Sequence, residues 1–336
     1  MDLNEKLKYI GNINQLWGVR PYELSDGWAR KMRAFDVNAG CGLLYTVLPD
    51  RGMDISLASF KGNNLVYLTC NGETSPTYYE PEGIGWLHTF SGGLLTTCGL
   101  THLGPPSLDD GENLGLHGRY STIPARQVAD CSSWVGDEYH IKLRGIIEEG
   151  RLFGNKLRLE REILSVVGQN SIEITDTITN FGNKPSPYTI LYHMNLGYPL
   201  LSEKSELEIK PLDTSPRDES ALSGLNDFRQ FIEPQENYNE QVFFHKMKGN
   251  QDGFTQASLL NIELGIRLNI IFNVNQLPFL TEWKMMGYGE YVLGLEPCNV
   301  FVKSRKLLRE EGELPYLKPQ EFVTNKVVIS IEELKG

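Results

Sequence analysis

Ser171-Ile-Glu-Ile-Thr-Asp-Thr-Ile-Thr179 alternates apolar and polar residues. In an extended chain successive side chains point to opposite faces, so Ile172, Ile174 and Ile178 share one face, with polar residues between them. The pattern predicts a half-buried strand of an antiparallel sheet. Further alternating or β-branched runs lie at 41–47, 139–147, 156–167, 266–273, 291–295 and 322–331. Turn chemistry separates them, at Gly62-Asn63-Asn64, Gly136-Asp137, Gly168-Gln169-Asn170 and Asn180-Phe181-Gly182-Asn183. Helical signals are confined to 4–13 and one turn within 225–232. A sheet must bury its apolar face, and with so few helices the covering layer is another sheet. The expected fold is all-β, a large antiparallel sandwich.

The 336 residues show no repeat, low-complexity segment or dividing linker, so one domain over 1–336 is expected, with a short N-terminal extension to about residue 35. A formal net charge of −11 argues against a nucleic-acid partner, which needs a basic face. The five cysteines are scattered, with no CxxC pair, so neither a disulfide framework nor a thiolate zinc site is indicated. The start has no apolar signal-peptide core, and apolar runs fall short of the ~18 residues of a membrane span. The expectation is a cytoplasmic protein without a membrane partner; oligomerisation is left open.

Three segments set titratable residues among apolar or glycine neighbours: Asn113-Leu-Gly-Leu-His-Gly-Arg119, Thr189-Ile-Leu-Tyr-His-Met-Asn-Leu-Gly197 and Tyr291-Val-Leu-Gly-Leu-Glu-Pro-Cys-Asn299. Glycines beside His117 let the backbone approach a ligand closely. His193 also fits a core histidine held by a carbonyl. Glu296, at the end of an apolar strand, needs a partner or a purpose, and a structural ion pair would serve. The long Gly/Pro-rich stretch 99–118 carries His102 and His117 and reads as a binding loop.

Together these segments resemble the aldose 1-epimerase (galactose mutarotase-like) family. Leu116-His117-Gly118 resembles its Leu-His-Gly-Gly loop, His193-Met-Asn-Leu196 its second histidine before Asn-Leu, and Leu295-Glu296-Pro297 its Glu-Pro-like turn. Leu48-Pro-Asp-Arg-Gly-Met-Asp-Ile55 and Leu317-Lys-Pro-Gln-Glu321 extend the resemblance from about residue 40 to 331. Asp50-Arg-Gly-Met-Asp54, Gly92-Gly-Leu-Leu-Thr-Thr-Cys-Gly99, the His117-Gly-Arg119 triplet and Trp283-Lys-Met-Met286 mark a divergent branch.

The resemblance implies the family's sandwich and a small-molecule sugar partner, with Glu296 as base, His193 as acid, His117 as a sugar ligand, and no metal or organic cofactor. Two departures stand out. The family's arginine is missing from 90–99, where Arg51 or Arg119 could substitute. Its Asp-His-Ala-Phe motif is nearest Glu240-Gln-Val-Phe243, one methylene longer. Arg51, Asp54, Arg119 and Lys284 would suit an acidic or phosphorylated sugar, although each also fits a solvated surface. Asn195 and Trp283, the latter a stacking platform with Trp86 and Tyr291, complete the expected site. The alternatives are a sugar-binding or regulatory protein without turnover, and a metal enzyme using His102, His117, His193 and Glu296. No HxH or HExxH spacing supports the latter. His88, His140 and His245 read as structural or surface residues.

Overall fold

A computed structural model of the protein describes residues 3–334. The alternating runs are strands. Ser171–Asn180 lies between Lys156–Val166 and Phe322–Glu333, antiparallel to both. These belong to a nine-stranded sheet, here the large sheet. Its order is Ser133–Val135, Glu138–Gly150, Lys156–Val166, Ser171–Asn180, Phe322–Glu333, Ile266–Asn273, Phe254–Asn261 and Ser205–Glu208. Arg126–Asp130 also pairs with Glu138–Gly150.

A six-stranded sheet, here the site sheet, runs Pro211–Pro216, Gln241–Met247, Phe279–Gly287, Glu290–Cys298, Thr189–Leu196 and Thr96–Leu100. A five-stranded N-terminal sheet runs from Gly18–Glu23 through Arg33–Asn38, Leu43–Leu48 and Asp54–Phe60 to Asn63–Asn64. Part of the stretch read as an extension is therefore sheet, since Gly18–Glu23 pairs with Arg33–Asn38.

The large and site sheets share one apolar core. Ile172, Ile174, Leu259, Phe272 and Val327 meet Ile190, Met194, Phe243, Leu280, Leu293 and Leu295 in it. Thr189–Leu196 is buried at every residue: one face lies on this core and the other is roofed by loops. The all-β sandwich expected from the alternation is what forms.

The helical expectations shift. The N-terminal run is Leu3–Leu7 followed by a 3-10 turn at Ile13–Gln15, with Gly11 between. The expected turn in 225–232 gives way to Glu219–Ser223, because the Asp218 side chain caps it by accepting from the Ala221 amide. Arg305–Glu310 is a helix that periodicity does not announce, capped by Ser304.

One polar residue of the opening stretch does not face water. Asp176 falls on the same face as the isoleucines and is fully buried. Arg161, on the neighbouring strand, binds it through Nε–Oδ1 at 2.8 Å and Nη2–Oδ2 at 2.7 Å. Arg161 Nη1 also donates to Asp54 Oδ1 at 2.8 Å, and Nη2 to Thr97 Oγ1 at 2.9 Å. Tyr192 Oη donates to Asp176 at 2.9 Å, and the Tyr120 ring lies 5.4 Å from the guanidinium. One cation thus ties all three sheets together. Burial pushes the Asp54 carboxyl up to about 6, against the opposing pull of Arg161 and Thr97.

Removing one partner of such a buried pair costs about 3–5 kcal/mol, because the remaining charge stays desolvated. Arg161→Met is expected to lose about that much in urea unfolding at pH 8. The loss should shrink near pH 5, where Asp54, pushed up by burial and freed from Arg161, takes up a proton that unfolded carboxylates largely release. An equal loss at both pH values would contradict this.

Candidate active site

The site is built on the outer face of the site sheet. Met194 pairs with Leu295, so His193 and Glu296 stand side by side on neighbouring strands. Thr281 pairs with Glu296 and Trp283 with Gly294, which brings the Trp283 indole onto the same face. Glycine is required at 294: a Cβ there would come within 2.6 Å of Glu296 Oε1 and 3.0 Å of Trp283 Cβ.

His193 Nε2 and Glu296 Oε1 are 3.2 Å apart, with side chains only 6% and 3% exposed. Around them stand aromatic rings. Phe90 lies 5.4 Å from His193, Trp283 5.5 Å and His117 5.9 Å, while Trp86 packs 4.7 Å from His117. Leu103, Leu191, Cys98 and Cys298 complete a small apolar cluster beneath and beside them.

His117 comes from the long loop. Its backbone has φ 57°, a left-handed conformation uncommon outside glycine. The conformation is held by the bond from its amide to the Gly104 carbonyl at 3.0 Å. The adjacent Gly118 admits no side chain, since a Cβ would sit 2.1 Å from the His102 carbonyl oxygen. His117 Nδ1 lies 2.8 Å from the Leu103 carbonyl, an acceptor, which assigns the proton to Nδ1 and leaves Nε2 as an acceptor. Burial lowers the imidazole to about 4, against the opposing effects of Leu103 and Glu240.

Burial also decides the state of the central pair. It holds Glu296 well above the usual carboxylate range; Glu240 raises it further and Arg217 opposes. It holds His193 well below the usual imidazole range, with His117 adding to the effect and Asn195 opposing. Both groups are driven to their neutral forms. The two groups in contact therefore carry the proton of the carboxyl between them, and desolvation favours its resting on Glu296.

Glu240 and Trp283 join this group at its rim. Trp283 Nε1 donates to Glu240 Oε2 at 2.8 Å, and Arg217 Nη2 contacts Glu240 Oε1 at 2.8 Å while also pairing with Asp218 at 2.7 Å. The other expected residues are placed differently. Arg51 is buried and donates to the Thr74 and Thr89 carbonyls. Asp54 belongs to the Arg161 network. Lys284 points to the opposite face from Trp283, where it donates to the Asp227 carbonyl at 3.0 Å. The Asn195 amide holds the Gly93 and His193 carbonyls, so it braces the strand. Arg119 is exposed next to Gly118, and its charge acts on Tyr79. His245 is fully buried against Glu282 at 3.1 Å, while His88 and His140 pair with surface glutamates. Among the described residues no cluster of His, Cys, Asp or Glu is arranged as a metal site.

Phe90 and Arg217 were not singled out from sequence. Phe90 carries no motif. Arg217 reaches Glu240 only through strand pairing, in which its amide donates to the Val242 carbonyl.

Comparison with known proteins bears on the family and the fold. A family model described as a domain of unknown function, DUF4432, matches residues 29–331. A search of curated proteins finds no match. Among solved structures, one from Klebsiella pneumoniae, described as a candidate aldose 1-epimerase, superposes with a TM-score of 0.87 at 25% identity, covering 93% of this chain and 83% of its own. A galactose mutarotase-like protein from Clostridium acetobutylicum gives 0.64 at 14% identity, covering 96% and 100%. Galactose 1-epimerase from Lactobacillus acidophilus gives 0.59 at 14% identity, covering 95% and 100%.

The proton assignment has a measurable consequence. A carboxyl kept protonated by the fold loses stability as pH rises above its unfolded range, and an imidazole kept neutral loses it as pH falls below its own. Glu296→Gln keeps a donor toward His193 but removes the first effect. The melting temperature of Glu296→Gln relative to wild type should therefore increase between about pH 5 and pH 8. A difference independent of pH would show that Glu296 is ionised in the fold.

Proposed function

Because the chain belongs to the DUF4432 family and has the galactose mutarotase-like fold, we propose that it is a carbohydrate-binding isomerase interconverting the anomers of an aldose or aldose derivative. The observation that supports this most is the buried His193–Glu296 contact at 3.2 Å, a carboxyl and an imidazole side by side on an aromatic-walled floor. The described names of the Klebsiella and Lactobacillus proteins, aldose and galactose 1-epimerases, point the same way.

Anomer exchange moves two protons on oxygens bonded to one carbon. A base takes the proton from the anomeric hydroxyl while an acid protonates the ring oxygen; the bond between anomeric carbon and ring oxygen breaks and the aldehyde forms. Rotation about the adjacent carbon–carbon bond and reversal of both transfers give the other anomer. The dyad suits this geminal pair of oxygens because its two groups are themselves in contact. In the dry site the proton rests on Glu296. A sugar hydroxyl donating to the carboxylate and a ring oxygen accepting from the imidazolium favour the charged tautomer, in which Glu296 is the base and His193 the acid. His117 Nε2 accepts from a neighbouring hydroxyl. A sugar ring gains access when the roofing rings, Trp283 foremost as the half-buried one, give way.

The rim favours a neutral sugar. Arg217 is neutralised by Asp218 and Glu240, and Arg51 and Lys284 face elsewhere. Glu240, held by Trp283 and Arg217, keeps lone pairs to accept sugar hydroxyls. A second reading, sugar binding without turnover, draws support from the near-complete closure over the dyad.

NMR exchange spectroscopy on a panel of aldoses, uronates and sugar phosphates separates the readings. Accelerated exchange of a neutral aldose is expected, reduced at least ~100-fold by Glu296→Gln or His193→Asn, the scale of a general acid or base. Thermal stabilisation by the same sugars with no exchange would favour binding alone. Arg217→Ala frees Glu240 from its clamp and should raise KM about tenfold, with kcat within about twofold. An unchanged KM would remove Glu240 from the recognition scheme.

A further inference from the structure

On the far side of the sandwich, the outer face of the large sheet carries a cleft of about 880 Å³. Its floor is the outward residues of three adjacent strands, among them Glu208, Gln256, Ser258, Arg267 and Ile271. One end is closed by Lys210, Arg229 and Lys248. These cations come from three separate segments that the backbone brings together. The Lys248 amide donates to the Lys210 carbonyl at 3.1 Å, and the Leu207 amide to the Arg229 carbonyl at 3.0 Å.

The charge here runs against that of the whole chain. The protein has 32 Lys and Arg against 43 Asp and Glu, yet this cleft is lined by four cations and two carboxylates, Glu206 and Glu208. Glu208 is taken by Arg267 at 3.2 Å. Lys210, Arg229 and Lys248 have no carboxylate within ion-pair distance among the described residues; Arg229 instead stacks over Phe228 at 4.3 Å. Arg267 Nε is buried with its donor unmet. Four cations facing one carboxylate that no ion pair takes, Glu206, repel one another, and an unmet buried donor costs free energy. An anion at the Lys210, Arg229 and Lys248 end relieves the repulsion.

The geometry points to a binding site for a small molecule bearing a phosphoryl group or diphosphate. The charged part sits at the Lys210, Arg229 and Lys248 end, and any uncharged part lies over Gln256, Ile271 and the exposed Phe254 ring. Lysine and arginine donors suit such an anion because charge-assisted hydrogen bonds to its oxygens are short and strong. This site is independent of the His193–Glu296 dyad, which lies on the outer face of the other sheet.

Calorimetric titration at low ionic strength tests the assignment, with inorganic pyrophosphate as the main probe, glucose 6-phosphate to test for a ring, and citrate as a non-phosphoryl polyanion. Pyrophosphate is expected to bind, to weaken with added salt, and to lose about tenfold or more in affinity in Lys210→Gln/Lys248→Gln. Arg229→Gln is expected to weaken it as well, and guards against misfolding of the double variant. Glucose 6-phosphate binding that is sensitive to the same substitutions supports the phosphoryl assignment. No pyrophosphate binding at about 10 mM, a Kd indifferent to all three substitutions, or tighter binding of citrate overturns it.

Discussion

The three sheets of this fold are tied together at one buried cation. Arg161 rises from the large sheet into the core and finds Asp176 beside it, Asp54 on the N-terminal sheet, and Thr97 on the site sheet. Burying a guanidinium is tolerable only when its donors and the opposing carboxylates are all met, which is why the surrounding geometry is so constrained. Thr97 and Tyr192 each stand one residue from Thr96 and His193, which pair with each other on the site sheet. The network that locks the three sheets therefore also sets where the His193 strand lies. A slip of one residue in that strand would take Tyr192 from Asp176 and turn His193 into the core.

The same desolvation, applied on the other face, prepares chemistry rather than structure. Glu296 and His193 are as buried as Asp54 and Arg161, but no full charge stands beside them. The outcome is a pair of neutral groups in contact instead of an ion pair. Reaching the charged tautomer then takes polar groups of a bound ligand that offset this desolvation. The rim residues, Glu240 and Arg217, act on it through their charges without touching it.

Much of this was legible in the residues. The period-two alternation carried the strands, and with few helices the sandwich followed. His117, His193 and Glu296 were marked by the apolar or glycine residues around them, and their resemblance to family motifs linked segments that lie far apart in the chain. Asp176 shows the limit of patterning: it reads as an outward polar residue until Arg161 on the neighbouring strand is seen. Arg51, Asp54 and Lys284 have the right charges for an anionic sugar, but their orientation depends on strand register and loop course, which composition does not encode.

What the sequence by itself determined is the class of fold and which residue types carry the chemistry, because side-chain alternation and turn residues are local properties of the chain. Only the tertiary structure decided which of those residues meet. The His193–Glu296 contact and the Arg217 clamp on Glu240 are cross-strand events, and so is the gathering of Lys210, Arg229 and Lys248 at one cleft. Each depends on register between segments that nothing local connects, and burial then assigns the protons.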